Sequence, residues 1–170
     1  MFEDRKITVI DSQTAVGNYR AIVDKAVNMS KDGRSTEEIL NAIEEIQKNM
    51  NISLTVESLE YLKRGGRLSN MQAIIGSLLN IKPIISLIDG ELIATDKVRG
   101  KKKALELMIS KIPTDVKEIS VEHVQHIEEA ERIKDVLASK FENVKISVNE
   151  IGPVVGAHIG PKAIGICAIW

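Results

Sequence analysis

The stretch IISLIDGELIATDKV, residues 84–98, constrains the fold more than any other: two apolar-rich runs flank Asp89-Gly90. Asp-Gly suits a tight two-residue turn, so residues 84–88 and 91–98 read as the arms of a β-hairpin. An antiparallel pair within a chain of otherwise interleaved strand-like and helix-like segments calls for a mixed sheet. Pro83 forbids helix just before the hairpin and leaves Ile81-Lys82 as an extended lead-in.

Around the hairpin, residues 6–11 (KITVID) read as a strand and residues 15–31 as a helix, with Gly33 beyond its end. Ser35 and Glu38 have the spacing of a capping box and open a helix to about residue 49. Residues 52–56 read as a strand and 57–64 as a short helix stopped by Gly65-Gly66. Ser69 or Asn70 can cap a helix through Ala73, Ile74, Ile75, Leu78 and Leu79, apolar on nearly every side. Residues 100–112 form a helix whose first turn is basic, against the helix dipole. Strands at 116–124 and 144–148 flank a helix at 126–141. A Gly/Pro-rich loop at 152–161 leads to a last apolar strand, 163–170. The expectation is one α/β domain over residues 1–170, two-layered, of about seven strands and six helices, with a mixed sheet and helices mainly on one face.

Composition narrows the function classes. A formal charge of −1 and 3% aromatic residues give no global reason to expect nucleic acid. No apolar run approaches the ~18–20 residues of a membrane span, MFEDRK lacks a signal core, and the single Cys167 excludes an internal disulfide. The sequence reads as soluble and cytoplasmic. With 44% hydrophobic residues and so few rings, the interior is aliphatic, a composition that fills a core or lines a smooth apolar cavity.

Three residues stand out chemically. Arg67 follows two glycines and precedes a helix start, where a guanidinium beside free N–H groups suits an anion; the alternative is a surface salt bridge. Arg99 begins RGKKK, which grips phosphate or an acidic partner, or is a solvated basic face. His158, in GAHIGP, can donate to a carboxylate from a loop where glycines admit close approach, or be satisfied by a backbone carbonyl. His123 and His126, with Glu122 and Glu129, match no metal-ligand spacing. Cys167 lies in an apolar strand, and neither a G-x-S-x-G nor a P-loop pattern is present, so no catalytic nucleophile is expected.

VIDS at 9–12, LEYLKRGGRLS at 59–69, IGSLLNIKPII at 75–85, KVRGKKKAL at 97–105 and GPVVGAHIGPKAIGI at 152–166 together resemble the DegV family of fatty-acid-binding proteins. They occur in family order. The resemblance implies a carrier, not an enzyme, that holds a long-chain fatty acid in an apolar tunnel and needs no other cofactor. It further implies that the carboxyl group is presented to a fatty-acid kinase of the dihydroxyacetone-kinase type, for phospholipid metabolism. On this pattern His158 holds the carboxylate, and Arg67 and Arg99 lie at the acyl-phosphate end or the kinase-docking surface. Leu59, Leu62, Ile75, Leu78, Leu79 and Ile84 are the tail-lining candidates by apolarity and position.

Two departures matter. The resemblance covers only the family's carboxy-terminal domain; the amino-terminal domain and its hydroxyl-bearing segments have no counterpart. Ile159 and Lys162 also stand where a Thr and a Gly are common. An exposed cleft left by the missing half would invite dimerisation. The rival expectation is an interaction domain without lipid, docking a protein through its basic hairpin end.

Overall fold

The computed structural model describes residues 6–67 and 81–170. Helix α1 (Val16–Lys31) is followed by Gly33 at φ +74°, the left-handed turn its position suggested. Helix α2 (Thr36–Lys48) opens with the expected reciprocal cap: Glu38 N–H donates to Ser35 Oγ at 3.2 Å, and Ser35 N–H donates to Glu38 Oε2 at 2.8 Å. Buried Asn18 ties α1 to the sheet, its Nδ2 donating to the Asn51 carbonyl at 3.1 Å.

Strand β1 (Met50–Thr55) and the short helix α3 (Glu60–Arg64) precede the hairpin, β2 (Ile81–Ile88) and β3 (Glu91–Arg99). Asp89 and Gly90 have φ of +50° and +78°, as a tight hairpin turn with two positive-φ residues requires. Helix α4 (Lys101–Ser110), β4 (Glu118–His123), α5 (Ile127–Lys140), β5 (Lys145–Glu150), α6 (Pro153–Ile159) and β6 (Ile164–Ile169) complete the chain. The sheet order is β3-β2-β1-β6-β4-β5, with β4–β5 the parallel pair, so the sheet is mixed. β1 and β2 pair only at Ser53↔Ser86 and Leu54↔Ile85. Among the described residues no residue of β1 pairs with Pro83, so a residue without an N–H can sit inside the strand, opposite Lys97.

One face of the sheet is a closed aliphatic core. Ile84, Ile119, Val121, Ile164 and Ile166 meet Ala104 and Met108 of α4 and Ala130, Ile133 and Leu137 of α5. On the other face β4 and β6 present Ser120, Glu122, Gly165 and Cys167. These admit α1 so closely that a methyl on Gly17 would collide with Ser120, Glu122 and Cys167. α2 packs on α1. The small and polar residues on that face thus bring a second helical layer onto it, in addition to the one that α4 and α5 form.

Two further differences from the sequence reading have local causes. Residues 6–11 form no strand, and Ile7 and Val9 are 64% and 91% exposed. β-propensity without a neighbouring strand builds no ladder, so among the described residues the sheet has six strands and not seven. The segment read as a loop contains α6, with Pro153 at its first position and Gly160 at φ +81° beyond its end. That is the ordinary Pro-in, Gly-out pattern of a helix.

Lys162 occupies a left-handed turn at φ +60° while its N–H donates to the Val124 carbonyl at 2.8 Å. The backbone N–H is what ties this position to Val124. Lys162→Gly should leave stability unchanged or raise it by roughly 0.5 kcal/mol, and Lys162→Val should lower it by about 1 kcal/mol or more. Urea denaturation checks this: coincident midpoints for the two variants would contradict the strain.

Candidate functional site

The strand directions gather the singled-out residues at one end of the sheet. β1, β3, β4 and β5 run the same way, and α3, α4, α5 and α6 follow their carboxyl ends. Crevices beyond the carboxyl ends of strands are the usual ligand positions in α/β sheets.

Two glycine contacts lock α3 to α6 there. The GGR turn closes α3 with a pair of bonds, Gly66 N–H to the Lys63 carbonyl at 3.1 Å and Arg67 N–H to the Leu62 carbonyl at 2.8 Å. This termination places Gly66 at φ +71°, where a Cβ is disfavoured. Gly65 serves differently: a methyl there would run into Nδ1 of His158. Reciprocally, a methyl on Gly160 would collide with the Tyr61 ring. The imidazole is therefore seated against the GGR turn, half-buried, in the last turn of α6. Arg67 folds back over the same turn, its Nη1 donating to the Gly65 carbonyl at 2.7 Å.

His158 and Arg67 both line an apolar cavity of about 270 Å³. Its floor is the open part of the sheet, Ile52, Leu54, Leu87 and Leu92; its wall is α6 with Val155 and Ile159, and the start of α1 with Val16. Glu122 is its one carboxylate among the described residues. A larger hollow of about 420 Å³ lies where β1 and β2 part, but Asn18, Asn51, Ser86, Thr95 and Lys111 make its walls polar.

The other sequence candidates fall elsewhere. Arg99 is exposed at the end of β3, opposite Ile81, on the same end of the sheet but not in the cavity. Lys101 of the basic run is held by Glu129 Oε1 at 3.3 Å and lies 3.0 Å from His126 Nε2, while Lys102 and Lys103 are exposed. Leu62 is buried behind the cavity, with Leu59 packed against the same cluster. Ile84 belongs to the closed core on the opposite face, so the alternation of β2 turns it away. Ile75, Leu78 and Leu79, and the helix read from Ser69 or Asn70, lie outside the described residues. Sequence reasoning missed Ile52, Leu54, Leu87, Leu92 and Val155. The amphipathic spacing of α6, hidden in a Gly/Pro-rich segment, was the available signal for the last.

The charged groups nearby are spoken for. Lys82 Nζ lies 2.9 Å from Glu57 Oε2 and holds that carboxyl below its usual range. His126 N–H donates to His123 Nδ1 at 3.2 Å; burial and then Lys101 push the His126 pKa down. Among the described residues no group of three or more His, Cys, Asp or Glu converges as a metal site. Cys167 is fully buried, and burial followed by the Glu122 charge pushes its thiol up to about 12, which makes it inert as a nucleophile.

A mixed sheet with a histidine and an arginine lining an apolar cavity is the form that small-molecule pockets take. The family is shown by comparison: the model of the DegV family, described as uncharacterised proteins, matches residues 1–170, and the chain belongs to that family. It is 36% identical over 170 residues to a DegV domain-containing protein of Clostridium acetobutylicum, covering 97% of this chain and 59% of that one. The crystal structure of DegV, a fatty acid binding protein from Bacillus subtilis, superposes with TM-score 0.81 at 33% identity over 95% of this chain and 60% of that one. A fatty-acid-binding DegV family protein from Thermus thermophilus gives 0.85 at 32%, over 99% and 62%. The chain thus spans about three-fifths of the length of these relatives. Among the described residues no helix is long and apolar enough to cross a membrane.

Gly65→Ala should displace the imidazole at a cost of about 1–3 kcal/mol of stability, as overpacking does. The check is the His158 ring resonances by NMR: unmoved ring shifts in the variant would contradict the contact.

Proposed function

We propose that this chain is the lipid-holding domain of a fatty-acid carrier. The observation that carries the proposal is an aliphatic cavity with His158 and Arg67 together on its lining. An acyl tail buried against such walls gains about 0.8 kcal/mol per methylene, and a few donors suffice to orient the carboxylate. His158 is assigned to the carboxylate and Arg67 to the same polar end. The fatty acids named with the Bacillus subtilis and Thermus thermophilus relatives support this ligand class. The rival reading, an interaction domain without lipid, is not supported by those relatives.

The carrier works in the cytoplasm and does no chemistry of its own. It presents the carboxyl group to a fatty-acid kinase, with the exposed Arg99, Lys102 and Lys103 on the docking surface. An amino-terminal domain, from the same or another chain, completes the site. The shorter length relative to the family and the exposed Ile7 and Val9 support that part.

Mass spectrometry of the denatured protein should find a co-purified long-chain acid; a ligand-free protein that also fails to bind added acid would defeat the carrier reading. His158→Ala should weaken fatty-acid binding about tenfold, the scale of a hydrogen bond to a charged group, while the circular dichroism spectrum is kept. Arg99→Glu should leave acid affinity unchanged but slow kinase-dependent phosphorylation about tenfold; equal rates would remove Arg99 from the docking surface.

A further inference from the structure

Helix α4 starts against local rules and is held by a contact from outside. Its first turn is Lys101-Lys102-Lys103, with no acidic residue, and Gly100 before it offers no side-chain cap. Three like charges at the positive end of the dipole destabilise such a turn. Lys102 reaches only Glu106 of its own helix, at 4.0 Å, and Lys103 is exposed. Lys101 instead reaches across to the start of α5. Its Nζ lies 3.0 Å from Nε2 of His126 and 3.3 Å from Oε1 of Glu129.

An ammonium has donors only, so Nε2 of His126 accepts and the ring carries its proton on Nδ1. His126 caps the start of α5, and its own N–H donates to Nδ1 of His123 at 3.2 Å. A second proton on the His126 ring would turn Nε2 into a donor and set two cations side by side in a partly buried place. The contact does not survive that. Burial opposes the second proton most, followed by Lys101 from α4; Lys162, in the turn after α6, adds to them. Glu129 and Glu128, in the first turn of α5, favour it. The balance holds the ring below the ordinary histidine range, so the contact is intact at neutral pH and is lost on acidification.

We propose that His126 is a pH-sensitive latch on α4: its neutral imidazole fixes Lys101 and the first turn of the helix, and protonation releases them. Gly100, at φ +87°, joins β3 to that turn and imposes little restraint of its own. Arg99, Lys102 and Lys103 then lose their fixed arrangement. The consequence for docking rests on the carrier reading above; the latch itself does not.

The test is an NMR titration of the 170-residue chain from about pH 8 to about pH 5. The amide resonances of Lys102 and Lys103 should move with the midpoint of the His126 ring. Their heteronuclear NOE should fall on the acid side, the sign of a released backbone. Lys101→Met should raise the His126 midpoint and leave both NOE values low throughout. His126→Gln, with His123 still in place, should abolish the pH dependence of the NOE. Amide shifts without loss of NOE would mean added charge without release and would overturn the latch. A pH-dependent NOE that persists in His126→Gln would overturn it too. Docking is read separately: the rate of kinase-dependent phosphorylation of wild type relative to His126→Gln should fall about fivefold from neutral to acid pH. An unchanged ratio beside the expected NMR result would remove Lys102 and Lys103 from the docking surface and leave the latch standing.

Discussion

The sheet depends on β6. It pairs along Ile164–Ile169 with β1 on one side and β4 on the other, six residue pairs in each ladder. It therefore joins the hairpin half of the molecule to the β4–β5 half. Its alternation divides the interior: Ile164, Ile166 and Ala168 face the closed core, while Gly165 and Cys167 face the cavity and α1. A strand buried on both faces reads as a continuous apolar run, which is why AIGICAIW carries so few polar atoms. The small residues on one side are as important as the large ones on the other. Gly165 leaves room beside Leu54, and the cavity begins there.

That division decides how much could be read from the chain alone. The hairpin was legible because Asp89-Gly90 is a local signal with a local cause, and the Ser35–Glu38 box likewise. Residues 6–11 misled because propensity speaks only for the backbone and is silent about a partner strand. Helix α6 was obscured by glycines that serve other ends: Gly156 is buried in the helix, and Gly160 makes room for Tyr61. Ile84 was a reasonable tail candidate until strand parity placed it on the far face.

The site shows the same limits. His158 and Arg67 were visible as unusual residues among glycines, and the folded chain brings them to one cavity. Their proximity, however, depends on α3 meeting α6, a contact between segments some ninety positions apart. The floor, Ile52 and Leu54 with Leu87 and Leu92, comes from three strands whose adjacency is fixed only by the sheet order. Glu122 was noticed only as a neighbour of two histidines. Its alternation with Val121 placed it on the face away from the solid core, and the burial of that face is tertiary information.

The short join between β1 and β2 has a mechanical corollary. Two residue pairs connect them, and α4, which touches β1, β2 and β3 together, spans the same seam. Leu87 and Leu92 ride on the hairpin, whereas Ile52 and Leu54 stay with β1. The floor of the cavity is therefore divided across the shortest ladder of the sheet among the described residues, whereas the two ladders of β6 hold six residue pairs each.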